Sequence, residues 1–276
     1  MNGRCNFQRP SVAGWKPKNL DWDSLVTLMM TNNYFFMTIL KLLPDIIDIQ
    51  TVDELEEVLI AFSKMIGRKE IKTLLEQLLP PIIKNIITTY KNIDKFLEMG
   101  WNLFITENIE QIEILKILVN IGKVDDNLFT YEEHIFNILA YDKKEFFNNV
   151  GYLLYRFIIL RELNTSYKNE SFKRWETIFL LAPKDFLLYS ILESEFERVL
   201  NTICDIDSPN FILNDRERIN FSNIFYNKIR TIRKIADKYK YFRISELLNR
   251  AKHVLNLTIE HGSPCNFMPL FYEDED

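Results

Sequence analysis

The stretch from Thr51 to Gly67 reads TVDELEEVLIAFSKMIG and carries the main signals of an amphipathic α-helix. Thr51 and Glu54 form a capping box, in which a hydroxyl and a carboxylate each accept a hydrogen bond from an exposed backbone amide. Apolar residues recur at helical spacing and share one face of the predicted helix: Val52, Leu55, Val58, Leu59, Phe62 and Ile66. Gly67 follows as a residue suited to end a helix.

The whole chain repeats this pattern and contains few glycines. Gly occurs 7 times in 276 residues, whereas average usage of about 7% would give roughly nineteen. Sandwiches, barrels and dinucleotide-binding folds need glycine in turns and phosphate loops. No convincing alternation of apolar and polar residues extends beyond roughly five residues, the length of a typical strand. We therefore predict an all-α fold of about ten to twelve helices, arranged as an irregular helical bundle or an α-solenoid-like array.

Prolines, glycines and capping residues set the predicted helix boundaries. Pro44 is expected to close a helix that begins near Tyr34, and Pro80-Pro81 to separate a helix near 69–79 from one over 82–99 that ends near Gly100. Thr106 is expected to cap a helix through Ile121. The remaining predicted helices are one capped by Thr130, one from Asp142 to Leu163, and those over 170–181, 184–203, 215–239 and from Ser245 to Gly262.

Both ends of the chain differ from this helical middle. Residues 1–20 contain helix breakers and are predicted to form an irregular N-terminal arm, and 21–262 a single helical domain with a candidate sub-boundary at 205–214. Residues 263–276 form an apolar and acidic C-terminal tail, ending in four acids from Glu273 to Asp276. Its apolar residues are candidates for partner binding: Phe267, Met268, Leu270, Phe271 and Tyr272. The sequence fits docking in a groove of the same fold and binding to a partner equally well.

Charge is distributed unevenly along the chain. The formal net charge is −5, but residues 214–253 contain eleven basic and four acidic residues, or +7, which leaves −12 for the remainder. Cations interleaved with aromatics suit phosphate contact and base stacking. An acidic protein partner, or a solvated helix face balanced by acidic helices, fits the same pattern. The candidate binding residues are Lys228, Arg230, Arg233, Lys234, Lys238, Lys240, Tyr241 and Arg243.

Residues that commonly carry catalysis are sparse. The three histidines, His134, His253 and His261, form no metal-ligand spacing, and the three cysteines contain no CxxC pair. Nucleophile elbows, phosphate-binding loops and dinucleotide fingerprints are absent from the sequence. We therefore predict no catalytic residue, no metal ligand and no cofactor.

These observations favour a non-enzymatic protein–protein interaction protein, an adaptor, scaffold or inhibitor that binds another protein through a helical surface. The alternative is a nucleic-acid-binding helical protein, nucleocapsid-like or RNA-associated, that uses the basic stretch 214–253. A third hypothesis is an all-α enzyme whose metal is held by dispersed carboxylates. The sequence shows no signal peptide and no transmembrane segment, so we expect a cytoplasmic or nuclear location. Abundant Ile, Asn, Lys and Phe indicate an AT-rich genome.

Overall fold

The computed structural model describes residues 20–90, 92–121, 150–165, 171–182, 185–204 and 215–261. These ranges contain eleven helices and no strand, which confirms the predicted all-α fold. In chain order the helices are α1 (Trp22–Thr31), α2 (Asn33–Ile46), α3 (Val52–Ser63), α4 (Lys69–Tyr90), α5 (Ile93–Ile105), α6 (Ile109–Asn120), α7 (Val150–Asn164), α8 (Ser171–Leu181), α9 (Asp185–Cys204), α10 (Asp215–Tyr239) and α11 (Phe242–His261).

The helices pack as two groups on either side of α7. In the first group α1 packs against α2 and α3, α3 packs against α5 and α6, and α4 packs against α6. In the second group α8 packs against α10, α9 against α11, and α10 against α11. Helix α7 contacts α5 and α6 on one side and α8 and α9 on the other. The helices before and after the predicted sub-boundary at 205–214 thus pack against each other, and residues 205–214 themselves lie outside the described residues.

Helix α7 is buried on most of its circumference. Its sequence, VGYLLYRFIILRELN, has apolar residues on every side, and nine of its fifteen residues are buried. A helix that is apolar all round is stable only when other elements cover it on all sides. This helix therefore forms the centre of the array.

The capping box at the start of α3 is present as predicted. The backbone N–H of Glu54 donates to the Thr51 hydroxyl at 3.2 Å, and the N–H of Thr51 donates to the Glu54 carboxylate at 3.0 Å. The predicted end at Gly67 is wrong: the helix ends at Ser63, and residues 64–67 form a turn.

The prediction that prolines end α2 and α4 is wrong. Helix α2 continues through Pro44 to Ile46, and α4 continues through Pro80 and Pro81 to Tyr90. Glu76 and Gln77, whose carbonyls lose their helical donors to the two prolines, are exposed, so water can replace the missing hydrogen bonds. One apolar stripe is buried along the entire length of α4: Ile71, Leu75, Leu79, Ile83, Ile86 and Ile87. Its burial holds the helix together across the proline pair.

Three further predicted boundaries are also wrong. Gly100 lies inside α5 and does not end a helix. The N-cap of α6 is Asn108, whose side chain accepts from the backbone N–H of Glu110 at 2.8 Å, and not Thr106. Helix α11 begins at Phe242, earlier than the predicted start at Ser245. In contrast, α8 and α10 end where the sequence predicted.

Several predictions fall on residues that the structure does not describe. They are the N-terminal arm before residue 20, the capping box at Thr130, the segment from Asp142 to 149, and the C-terminal tail. These remain predictions.

Gly100 of α5 lies directly against Leu154 of α7. A Cβ atom at this position would overlap the buried Leu154 side chain of α7, whereas a Cβ at Gly67 would meet nothing within 4 Å. The absence of a side chain at Gly100 therefore allows α7 to pack closely against α5.

We expect Gly100→Val to lower the free energy of unfolding by about 1–3 kcal/mol, because the new side chain overpacks the contact with Leu154. Gly67→Val is the matched control and should change stability by about 0.5 kcal/mol or less. Chemical denaturation measures both. In a Leu154→Ala background the loss caused by Gly100→Val should shrink, since the two residues are in contact. Equal losses in both backgrounds would contradict this account.

Candidate functional site

Residues 215–253 of the predicted basic stretch form α10, the turn after it and the first twelve residues of α11. The inner face of α10 is apolar and buried, with Phe225, Ile229, Ile232 and Ile235 in the core. The eight candidate binding residues therefore lie on the flanks and the outer face, and at the turn between the two helices. The structure gives them three different environments.

Lys228 is engaged within the fold. Its ammonium group donates to the backbone carbonyls of Glu162, at 3.1 Å, and of Leu163, in the last turn of α7. A cation at this position satisfies carbonyls that have no helical donor and interacts favourably with the negative end of the helix dipole. Burial lowers the pKa of Lys228 to about 8, although the nearby Glu162 opposes this shift. Lys228 thus contributes to the packing of α10 on α7.

Three more of the predicted residues contact neighbouring side chains. The Lys238 ammonium lies 2.5 Å from a carboxylate oxygen of Glu176 on α8, and Arg233 lies 3.6 Å from Asp237 on its own helix. The ring of Tyr241 packs edge-to-face against Phe179, with centroids 5.1 Å apart. Tyr241 therefore belongs to the packing of α8 against the α10–α11 turn.

The remaining four cations are exposed: Arg230, Lys234, Lys240 and Arg243. Within the described ranges no carboxylate oxygen lies within 4.0 Å of any of them, while Arg243 stacks over the Tyr189 ring at 5.1 Å. We call these four residues the unpaired cations. They are the part of the predicted basic surface that is available to an anionic ligand.

The apolar tail residues predicted to bind a partner, 267–272, lie outside the described residues.

Sequence reasoning missed a buried ion cluster that joins four parts of the fold. Glu162, at the end of α7, is only 3% exposed, and one of its carboxylate oxygens lies 3.8 Å from the guanidinium of Arg174 on α8. Arg174 also lies 3.6 Å from Glu107 in the α5–α6 loop, and Lys228 of α10 binds the Glu162 carbonyl. The sequence offered one signal of this cluster, the charged residue Glu162 at the end of the apolar helix α7. The pairing itself joins residues far apart in sequence.

Burial raises the pKa of Glu162. Desolvation raises the pKa of its carboxyl group to about 7, and the charges of Arg174 and Lys228 counteract only part of that effect. The Glu162 side chain is almost entirely buried where α7 meets α8 and the α5–α6 loop. The cluster therefore acts on the packing of the fold.

A second surface that the sequence did not reveal lies on α1 and α2. Six large apolar side chains of these two helices are exposed, the most exposed being Tyr34 at 74%: Leu28, Met30, Tyr34, Phe35, Met37 and Leu42. We call them the α1–α2 apolar face. Their neighbours Phe36, Ile39 and Leu43 on α2 are buried, so α2 carries large apolar side chains on both its inner and its outer side.

Comparisons with known proteins give no function for either the basic surface or the α1–α2 apolar face. No protein-family model, curated protein or solved structure matches this chain. Among the described residues, no group of three or more His, Cys, Asp or Glu side chains could hold a metal ion. In the same part of the chain, no helix has the length and apolar character needed to cross a membrane.

We expect Glu162→Gln to stabilise the protein at pH 8 and to leave its stability unchanged near pH 5. The folded-state pKa of about 7 lies above the ordinary value of 4.5. Between pH 4.5 and pH 7, Glu162 is protonated in the folded protein but ionised in the unfolded chain. The free energy of unfolding of the natural protein therefore falls as pH rises towards 7. Gln resembles the protonated acid and avoids that loss, which we expect to be about 1–3 kcal/mol.

Denaturation curves at several pH values measure this difference. Glu98→Gln is the matched control, because Glu98 forms an exposed pair with Arg161 and its loss should have little effect at any pH. A Glu162→Gln protein less stable than the natural one at pH 8 would contradict the prediction. It would mean that the ion pair with Arg174 outweighs the cost of burial.

Proposed function

We propose that this chain is a non-enzymatic interaction protein that binds another protein through the α1–α2 apolar face. It would act as an adaptor, a scaffold or an inhibitor. The observation that supports this proposal is the concentration of large exposed apolar side chains on two adjacent helices, half of the twelve found among the described residues. Contiguous apolar surface on a folded protein commonly marks an interaction site.

The position of α2 in the array strengthens the proposal. Helix α2 packs chiefly against α1, and α1 connects it to α3, so α2 lies at one edge of the fold. The terminal elements of a stacked helical array normally carry a polar outer face. Here the outer side carries Tyr34, Phe35, Met37 and Leu42. A partner that covers these side chains would remove the cost of keeping them in water.

The chemistry of the face also defines the partner. Helix α2 contains two charged residues, Lys41 and Asp45, both exposed and of opposite sign. The outer side of α2 therefore has no net charge that would select a charged ligand. An apolar helical surface of another protein is the occupant that this face fits, in the manner of helix-in-groove recognition.

The ionisable groups support a non-enzymatic role. Glu162 and Lys228 have strongly shifted pKa values. Both residues lie in the contacts that link α7 to α8 and α10. Shifted pKa values favour an active site when the groups lie in an open cleft. These groups lie in the packing between helices, where a substrate has no access.

Nucleic-acid binding is the second candidate, and the four unpaired cations favour it. Arg230 and Lys234 are four residues apart on the exposed side of α10, which suits contact with successive phosphates. The surface is smaller than the sequence indicated, because Lys228, Lys238 and Tyr241 are engaged in contacts within the fold. The interaction role therefore remains our first proposal.

We expect the double variant Phe35→Ser with Leu42→Ser to lose partners that the natural protein captures from an extract of the cells that make it. Both side chains belong to the α1–α2 apolar face, and interface apolar anchors commonly contribute about 2 kcal/mol or more to binding. Affinity capture with quantitative mass spectrometry measures the loss, and circular dichroism checks the fold. Ile109→Ser is the control, since Ile109 is 80% exposed but lies at the start of α6.

A partner retained by the double variant and lost from the control would overturn the proposed site. Sedimentation velocity separates a further outcome. If the double variant converts a dimer into a monomer, the partner is a second copy of this chain.

If the second candidate function holds, Arg230→Glu with Lys234→Glu should lower the affinity for labelled RNA at least tenfold at low salt. The slope of log affinity against log salt concentration should also become shallower, by the amount expected for the loss of roughly two phosphate contacts. Each removed cation no longer displaces counterions from the RNA. Lys69→Glu with Lys72→Glu is the matched control, placing the same charge change on exposed positions of α4. Equal effects of the two double variants, or no binding by the natural protein, would exclude this surface as a nucleic-acid site.

A further inference from the structure

The turn between α10 and α11 has an unusual residue at its centre. Helix α10 ends with the backbone N–H of Tyr241 donating to the Ala236 carbonyl at 2.9 Å and that of Lys240 donating to the Asp237 carbonyl at 3.3 Å. These are the two hydrogen bonds of a Schellman motif, whose central residue is usually glycine. Here it is Lys240, with φ of +61°. A residue with a side chain costs about 1 kcal/mol in this conformation. The turn thus projects a cation at a position where glycine would be more stable.

Two large apolar side chains are exposed where α8 meets this turn. Phe242, the first residue of α11, is 77% exposed, and Leu180, in the last turn of α8, is 57% exposed. Their chain neighbours Tyr241 and Phe179 are in ring contact, so α8 meets the turn at this place. We call the surface formed by Leu180, Lys240, Phe242 and Arg243 the α10–α11 corner.

The corner combines apolar surface with positive charge. Lys240 and Arg243 are two of the four unpaired cations, and Lys234 and Arg230 extend the positive charge along α10. A ligand that fits this corner needs apolar side chains for Leu180 and Phe242 and carboxylates for the cations. Neither an apolar helix nor a bare polyanion supplies both.

The C-terminal end of the same chain has this composition. Residues 263–276 read SPCNFMPLFYEDED and contain no Lys or Arg. Five apolar residues between Phe267 and Tyr272 are followed by four consecutive acids. The order, apolar first and acidic last, gives the tail both kinds of contact that the corner requires.

The length of the tail allows the contact. Helix α11 has 20 residues and is therefore about 30 Å long at 1.5 Å per residue. Residues 262–276 begin at its C-terminal end and span up to about 50 Å when extended. A tail that folds back along α11 can therefore bring its acids to Lys240 and Arg243 at the other end of the helix.

We propose that residues 263–276 dock on the α10–α11 corner of the same molecule, with the apolar tail residues against Leu180 and Phe242 and the four acids against Lys240 and Arg243. The tail then occupies the surface that an RNA or an acidic protein would use, so such ligands must compete with it. This inference is independent of the α1–α2 apolar face and of the partner proposed there.

A photo-cross-linking experiment on the full-length protein tests the contact. p-Benzoylphenylalanine replaces Phe242, and after irradiation the cross-linked peptides are identified by mass spectrometry. We expect a cross-link from position 242 to residues 263–276 within a product of single-chain mass, with a yield independent of protein concentration. The same probe at Ile109, which is also highly exposed, is the control and should give no such product.

Charge variants test the ionic half of the contact. Lys240→Gly with Arg243→Gln should lower the cross-link yield several-fold, and the glycine suits the left-handed backbone at position 240, so the turn is kept. Lys69→Gln with Lys72→Gln removes two exposed cations from α4 and should leave the yield unchanged. Replacing the four acids of 273–276 by their amides should match the effect of the corner variant.

Three outcomes would overturn the proposal. One is the absence of a tail cross-link from position 242, and another is an equal yield from the Ile109 control. The third is a tail cross-link found only in a product of two-chain mass, which would assign the corner to the tail of a second copy. Phe35→Ser with Leu42→Ser should leave the cross-link unchanged, so failure of the partner proposed for α1–α2 is recognised separately.

Discussion

The burial of α7 on nearly all sides is the constraint from which the rest of the structure follows. A fifteen-residue helix with apolar side chains around its whole circumference cannot lie at a surface, so helices must cover it from both sides. Helices α5 and α6 cover one side, and α8 and α9 the other. Gly100 allows the contact between α5 and α7, because Leu154 of α7 occupies the space that a side chain at position 100 would need.

The same burial explains the ion cluster at the end of α7. The last turn of a helix has carbonyls without helical donors, and in α7 two residues of that turn, Glu162 and Leu163, are buried. Lys228 donates to two of these carbonyls from α10, while Arg174 of α8 faces the buried carboxylate of Glu162. These contacts link α8 and α10 to the end of α7. Desolvation raises the pKa of Glu162 to about 7 and lowers the pKa of Lys228 to about 8, because burial disfavours the charged form of each group.

Much of the fold was predictable because its signals are local. The capping box of α3, the limits of α10 and the helical class depend on residues within a few positions of each other. Predictions failed where distant contacts outweighed local preferences. Pro80 and Pro81 disfavour a helix, yet the buried stripe from Ile71 to Ile87 carries α4 past them. Gly100 is typical of a helix end, yet it lies within α5 because α7 needs the space.

The sequence by itself determined the helical class, the excess of positive charge in 214–253 and the apolar and acidic composition of the tail, since these follow from residue order alone. Only the tertiary structure decided which cations are exposed. Lys228 and Arg230 are two residues apart in one basic helix, but Lys228 points towards the end of α7 and Arg230 towards solvent. The tertiary structure also left the apolar outer side of α2 uncovered. Exposure depends on which helices pack together, and that packing is set by contacts between residues far apart in the chain.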